Sequence, residues 1–114
     1  MIAVDLDNLQ KYESVLSDPG APVADRVDSL FCIKAFQEVE AVDALVRSFH
    51  CEPKSELLKH EICYCLGQMN RSEAHIGKIQ EFLEHVIDEE NNYPDIVVHE
   101  AVEALGNLSQ EHTR

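Results

Sequence analysis

The chain has 114 residues, enough for one folded domain and too few for two independent cores. Hydrophobic residues make up 45% of it, Gly and Pro number only four each and Trp is absent, which suits a helical domain and excludes a disordered tail. With 22 acidic residues against nine basic ones, the net charge of −13 repels a phosphate backbone, argues against nucleic-acid binding and draws in cationic ligands.

At the N-terminus, Asp5 and Asp7 stand where a secretory leader needs an uninterrupted apolar stretch, and no run of 18 apolar residues follows. A cytoplasmic protein without membrane association is therefore expected. In that reducing setting Cys32, Cys51, Cys63 and Cys65 are read as free thiols.

Apolar residues recurring at i, i+3, i+4 and i+7 predict helices over 5–17, 23–36, 39–50, 55–69, 73–89 and 96–108. The first ends at the turn Asp18-Pro19-Gly20, and Pro22 suits the opening turn of the second. Leu58, Ile62, Cys65, Leu66 and Met69 form the inward stripe of the fourth. Ser72 is placed to cap the fifth, while Tyr93-Pro94-Asp95 stops that helix and opens the sixth. The acidic run Asp88-Glu89-Glu90 reads as a solvated helix end.

These helices repeat. Leu57 to Met69 (LLKHEICYCLGQM) aligns with Ile96 to Leu108 (IVVHEAVEALGNL) at an offset of 39 residues, with His, Glu, Leu and Gly coinciding. A weaker copy lies 33 residues before the first, pairing Leu30, Cys32, Ile33 and Phe36 with Cys63, Cys65, Leu66 and Met69, and it carries Val27 and Asp28 at the His-Glu positions. Such periods belong to a two-helix unit that gains a core only by stacking, so residues 1–114 are expected to form a single all-α domain, a HEAT-like α-solenoid of about three helix pairs. With nothing beyond Arg114 to cover the last helix, the domain is expected to be a piece of a longer chain or to pair with another subunit at that end.

The candidate functional residues are the repeated pairs His60-Glu61 and His99-Glu100. At roughly 100° per residue, His60 and Glu61 point well away from the stripe centred on Ile62. Stacking should bring His60 and His99 close together with Glu61 and Glu100 alongside, and Gly67 and Gly106, each seven residues after its His, should leave a side-chain-free groove beside each imidazole. Imidazole with carboxylate suits iron or manganese, with zinc possible, whereas calcium and magnesium prefer oxygen alone. A lone His-Glu dipeptide on a helix is ordinarily two solvated side chains. Two pairs in register argue otherwise, because the weaker copy stacks without one.

Other residues attract simpler readings. Cys63 and Cys65 project roughly 200° apart on a helix, which disfavours a shared zinc. Cys32 and Cys65 occupy equivalent apolar positions and are expected to be small buried hydrophobes. His50, His75, His85 and His112 have no repeat equivalents and are expected at the surface.

The paired HE…LG motifs, LLKHEICYCLGQM followed by VVHEAVEALGNL, resemble deoxyhypusine hydroxylase, a HEAT-repeat monooxygenase family with a non-haem di-iron (Fe2+) centre. The resemblance implies that His60 and His99 bind one iron, that Glu61 reaches a second, and that Glu100, a metal-site residue as well as a catalytic one, lies near the substrate amine. It further implies O2 as co-substrate and, as partner, a translation factor bearing the deoxyhypusine side chain. Members of that family carry two such halves and four His-Glu pairs; this chain has one half's worth. A homodimer, a complementary half-subunit and a fragment of a longer enzyme are each consistent with that. The alternative is a non-catalytic HEAT-repeat adaptor that binds a partner peptide on its concave face.

Overall fold

The computed structural model describes residues 6–52 and 54–113, with side chains over 7–52 and 54–108. Asp5 and the side chain of His112 lie outside these described residues. Six α-helices follow one another, α1 (Leu6–Leu16), α2 (Val23–Lys34), α3 (Val39–Cys51), α4 (Glu56–Gly67), α5 (Glu73–Ile87) and α6 (Asp95–Thr113), with a single 3-10 turn at Glu89–Asn91. Among the described residues no helix is long and apolar enough to cross a membrane.

The helix starts follow from local chemistry. Pro22, with φ fixed near −56°, stands just before α2. Ser55 accepts a hydrogen bond from the Leu58 amide at 3.1 Å, and Ser72 accepts one from the His75 amide at 3.2 Å, each relieving one of the unpaired donors of a first turn. The fifth helix stops at Ile87, two residues short of its expected end, because the Asp88 carboxylate turns back to accept from the Glu90 amide at 3.0 Å and opens the 3-10 turn. Asn92 then takes a left-handed φ of 54°, which Asn tolerates well, and reverses the chain into α6. α6 runs past its expected end to Thr113, since no Gly or Pro interrupts it after Gly106.

Short connections fold α1 against α2, α3 against α4 and α5 against α6, while α1, α3 and α5 pack side by side in one layer and α2, α4 and α6 in the other. The result is a slab measuring 36 × 34 × 19 Å, whose thin dimension is that of two stacked helices. Between the layers lie Leu30, Ile33, Leu45, Phe49, Ile79 and Leu83 together with the entire expected stripe of α4, Leu58, Ile62, Cys65, Leu66 and Met69. Cys32, expected inside by its equivalence to Cys65, is exposed instead. α4 has α6 on one flank and α2 on the other, whereas among the described residues the corresponding flank of α2 has no such neighbour.

Gly67 does not line a groove. A Cβ built on it would lie 2.7 Å from the Ala104 Cβ and 3.0 Å from the Ala104 Cα, so its missing side chain is what lets α6 press against α4. Its repeat equivalent Gly106 meets nothing within 4 Å among the described residues, so the space beside it is open.

A buried ion pair outside the repeat motif ties the N-terminal half together. The Arg26 guanidinium donates to the Leu16 carbonyl at 2.9 Å and to the Glu52 carboxylate, both side chains being buried. The other Glu52 oxygen accepts from the Lys54 and Ser55 amides at 2.9 and 2.8 Å, just ahead of α4. Burial by itself would raise the Glu52 pKa, but these two amides and Arg26 outweigh it and hold the carboxyl below the usual glutamate value.

Gly67→Ala should cost about 1–3 kcal/mol in thermal or urea unfolding, because backbone stands in the way, whereas Gly106→Ala should be neutral or gain up to about 1 kcal/mol from helix propensity. Arg26→Ala should cost roughly 3–5 kcal/mol by stranding a buried carboxylate. Since the Glu52 pKa is depressed, its contribution is present above the ordinary glutamate value and lost as pH falls through the depressed one; Glu52→Gln should flatten that acid-side slope.

Candidate metal centre

The close approach of α4 and α6 decides which candidate ligands meet. Ala104, seated on Gly67, lies one helical turn after Glu100, so Glu100 projects from the same flank of α6 toward α4. Gly67 lies two turns after His60, so His60 is on the receiving flank. The Glu100 Oε1 consequently stands 2.9 Å from His60 Nε2. On the other side of the ring, Glu61 Oε1 is 3.5 Å from His60 Nδ1.

Three of the four expected residues, His60, Glu61 and Glu100, are thus gathered around one imidazole. His99 is not part of that contact. One residue before Glu100 and rotated roughly 100° from it, His99 is turned to the surface, 76% exposed, with Nε2 3.8 Å from Glu103 Oε1 one turn along its own helix. Among the described residues no three His, Cys, Asp or Glu side chains are arranged as a metal-holding group.

The electrostatics of the cluster follow from its burial. His60 and Glu61 are about three-quarters covered and Glu100 more so, with side-chain exposures of 27%, 28% and 12%. Burial pushes the Glu100 carboxyl above the usual glutamate range; the imidazole of His60 opposes this, Glu103 and Glu61 add to it, and His99 opposes it. Glu100 therefore senses both histidines although only one touches it. His60 Nδ1 is buried and has no hydrogen-bond partner, the Glu61 oxygen standing 3.5 Å away. A buried, unpartnered imidazole nitrogen with one carboxylate nearby and a second at the opposite ring nitrogen fits, by type, the donors of a divalent metal of the iron, manganese or zinc kind.

The cysteines do not contribute. Burial raises the thiols of Cys63 and Cys65 to about 12, so both stay protonated at neutral pH and offer no thiolate. Cys63 is buried despite pointing away from the stripe because α6 lies over that flank of α4.

Several residues escaped the repeat-based reading. His75, expected at the surface, is buried, with Nδ1 2.7 Å from the Ser72 hydroxyl that caps its helix. His50 and His85 are exposed as expected, yet they pack edge-on at 5.4 Å in an aromatic group with Phe49, Phe82 and Tyr93. Burial, followed by the charges of His85 and Lys59, lowers the His50 pKa. Glu103 was legible in principle, since His99 and Glu103 are spaced i, i+4 on one helix face.

Removal of the His60 ring takes away the largest influence that holds the Glu100 pKa down. In His60→Ala the Glu100 carboxyl should therefore titrate still higher than in the unaltered chain, as read by carboxyl carbon NMR. An unchanged or lower value would show that the two groups are not coupled.

No protein-family model matches the chain. Individual relatives do. The deoxyhypusine hydroxylase of Drosophila pseudoobscura pseudoobscura is 35% identical over 105 residues, covering 92% of this chain and 32% of that protein. The enzyme of that name from Mus musculus is 38% identical over 102 residues, covering 87% and 31%. Among solved structures, human deoxyhypusine hydroxylase in complex with glycerol superposes with a TM-score of 0.77 at 30% identity, covering 94% of this chain and 34% of that one. The chain spans about a third of the length of the curated relatives it matches. In sequence and in helical-repeat fold it is similar to about a third of the deoxyhypusine hydroxylase chain.

Proposed function

We propose that this chain supplies one half-site of a deoxyhypusine hydroxylase, an iron-dependent monooxygenase that uses O2 to hydroxylate the deoxyhypusine side chain of a translation factor. The observation that carries this reading is the His60 imidazole held between Glu61 and Glu100, in a chain similar over most of its length to enzymes of that name. The residues that would hold iron are His60, Glu61, His99 and Glu100. Bound iron would supply the activation of O2 that amino-acid side chains cannot provide.

The chain's own residues have definable tasks. Glu100 sets a carboxylate against the Nε2 side of the His60 ring, and Nδ1 on the other side has no hydrogen-bond partner and is available as a ligand atom. Its raised pKa lets the same carboxyl accept or release a proton closer to neutrality than an ordinary glutamate. Its carboxylate form, near both histidines, would also attract positive charge along the substrate chain. His99 must swing from Glu103 toward Glu100 to join His60. Its exposure leaves it free to do so.

A complementary unit is the natural partner. On α4 the flank bearing Cys63 and Gly67 is covered by α6; on α6 the equivalent residues Val102, 50% exposed, and Gly106 are uncovered. That flank suits a further helix of the same repeat type, whether from a second copy or from a complementary half. The same uncovered flank equally favours an adaptor that docks a partner helix without catalysis, and metal binding separates the two.

The deciding experiment combines metal analysis with native mass. With Fe2+ added anaerobically, about one iron per chain should be retained, in a dimer if a second copy completes the site. His60→Ala and His99→Ala should each abolish retention with unchanged helix content by circular dichroism. Iron retained by the double variant would end the hydroxylase reading.

A further inference from the structure

Beside the half-buried cluster, on the neighbouring helices, lies an exposed pair of aromatic rings that the reading above does not use. Phe31 of α2 and Tyr64 of α4 are 41% and 40% exposed and occupy equivalent positions in the 33-residue repeat. Tyr64 follows His60 by one turn, so the two share a face of α4. The Lys34 ammonium sits 5.7 Å from the centroid of each ring, within the range of a cation–π contact.

A second lysine shows what a purely structural version of this arrangement looks like. Lys59 stands 5.6 Å from Phe49 and from Tyr93, but Phe49 is completely buried, so that ammonium closes over the rim of the core and nothing from outside can replace it. At Lys34 both rings are open to solvent, and the ammonium reaches them on a flexible four-carbon stem that can return to water at little cost. Glu61 precedes Tyr64 by three residues, so that carboxylate and the ring share one side of α4.

We infer that Phe31 and Tyr64 form a binding subsite for the ammonium end of an extended alkylamine side chain, and that Lys34 is the internal occupant which such a ligand displaces. The two ring faces supply the attraction for the cation, and the alkyl stem lies along the exposed apolar edge of α2 and α4. The net charge of −13 raises the local concentration of cations without choosing among them; the rings make the choice. This deepens the proposed function, whose substrate carries a lysine-derived aminobutyl chain. No iron ligand is involved, so the two readings fail separately.

The test is an NMR titration of the metal-free chain with putrescine, using 1-butanol as the uncharged control. Putrescine should shift the ring protons of Phe31 and Tyr64 and show ring-to-methylene nuclear Overhauser contacts, while 1-butanol should not. Lys34→Ala should tighten the apparent Kd at least two-fold by removing the competitor. Phe31→Leu, which keeps apolar bulk, and Tyr64→Ala should each weaken binding about two- to five-fold, the range expected for one exposed cation–π contact, and Tyr64→Phe should retain it. Equal binding by all four variants, or no gain in Lys34→Ala with its fold intact, overturns the proposal. Ring-centred amine binding in a chain that fails to retain iron would leave this subsite standing and end the hydroxylase reading; iron retention without ring contacts would do the reverse.

Discussion

The contact on which the arrangement depends is steric, the seating of Ala104 on Gly67. Without a side chain at residue 67, α6 approaches α4 closely enough for the Glu100 carboxylate, one turn earlier, to reach His60 Nε2 at 2.9 Å. A residue that never touches the imidazole thus determines whether a carboxylate does. The same approach buries the Cys63 thiol and most of Glu100, and that burial sets the protonation behaviour of both groups. Fold and candidate chemistry share one cause here, close packing of two repeats.

Burial of acidic groups in so acidic a chain has to be offset locally. Glu52 and Glu100 show two different solutions. Glu52 is wrapped by two backbone amides and a guanidinium, so its charge is retained and its pKa falls. Glu100 has an imidazole and no amide, its neighbours Glu61 and Glu103 are acidic, and its pKa rises. The first arrangement is what a structural carboxylate requires. The second leaves a carboxylate whose protonation depends on its acidic neighbours and on the imidazole beside it.

Much of the fold could be read from the sequence because its signals are local and repeated. The stripe from Leu58 to Met69, the Ser72 cap and the breaks at Pro19 and Pro94 each act within a few residues. What could not be read required knowledge of which helix lies against which. Gly67 looked like open space because helical geometry alone cannot show that Ala104 fills it. Cys32 looked buried because repeat equivalence assumes a neighbour on every flank, and α2 lacks the one that covers Cys65. Arg26 and Glu52 are 26 residues apart and belong to no motif, so no periodicity links them. The His60–Glu100 contact was half legible: the repeat indicated that the pairs would be neighbours, but the choice between His99 and Glu100 as the residue that reaches across depended on the rotation of α6.

That choice explains why two identical dipeptides differ in environment. His60 is covered because α6 lies on its flank of α4, and His99 is open because its own flank of α6 is uncovered, along with Val102 and Gly106. In a stacked repeat each helix builds half of the surroundings of the one before it, so a His-Glu pair acquires its burial and its cross-helix contacts from the neighbouring unit rather than from its own residues. Equivalence in sequence therefore does not confer equivalence in chemistry. A helix seated on the open flank of α6, with a small residue over Gly106 as Ala104 lies over Gly67, would give His99 the kind of surroundings that His60 already has.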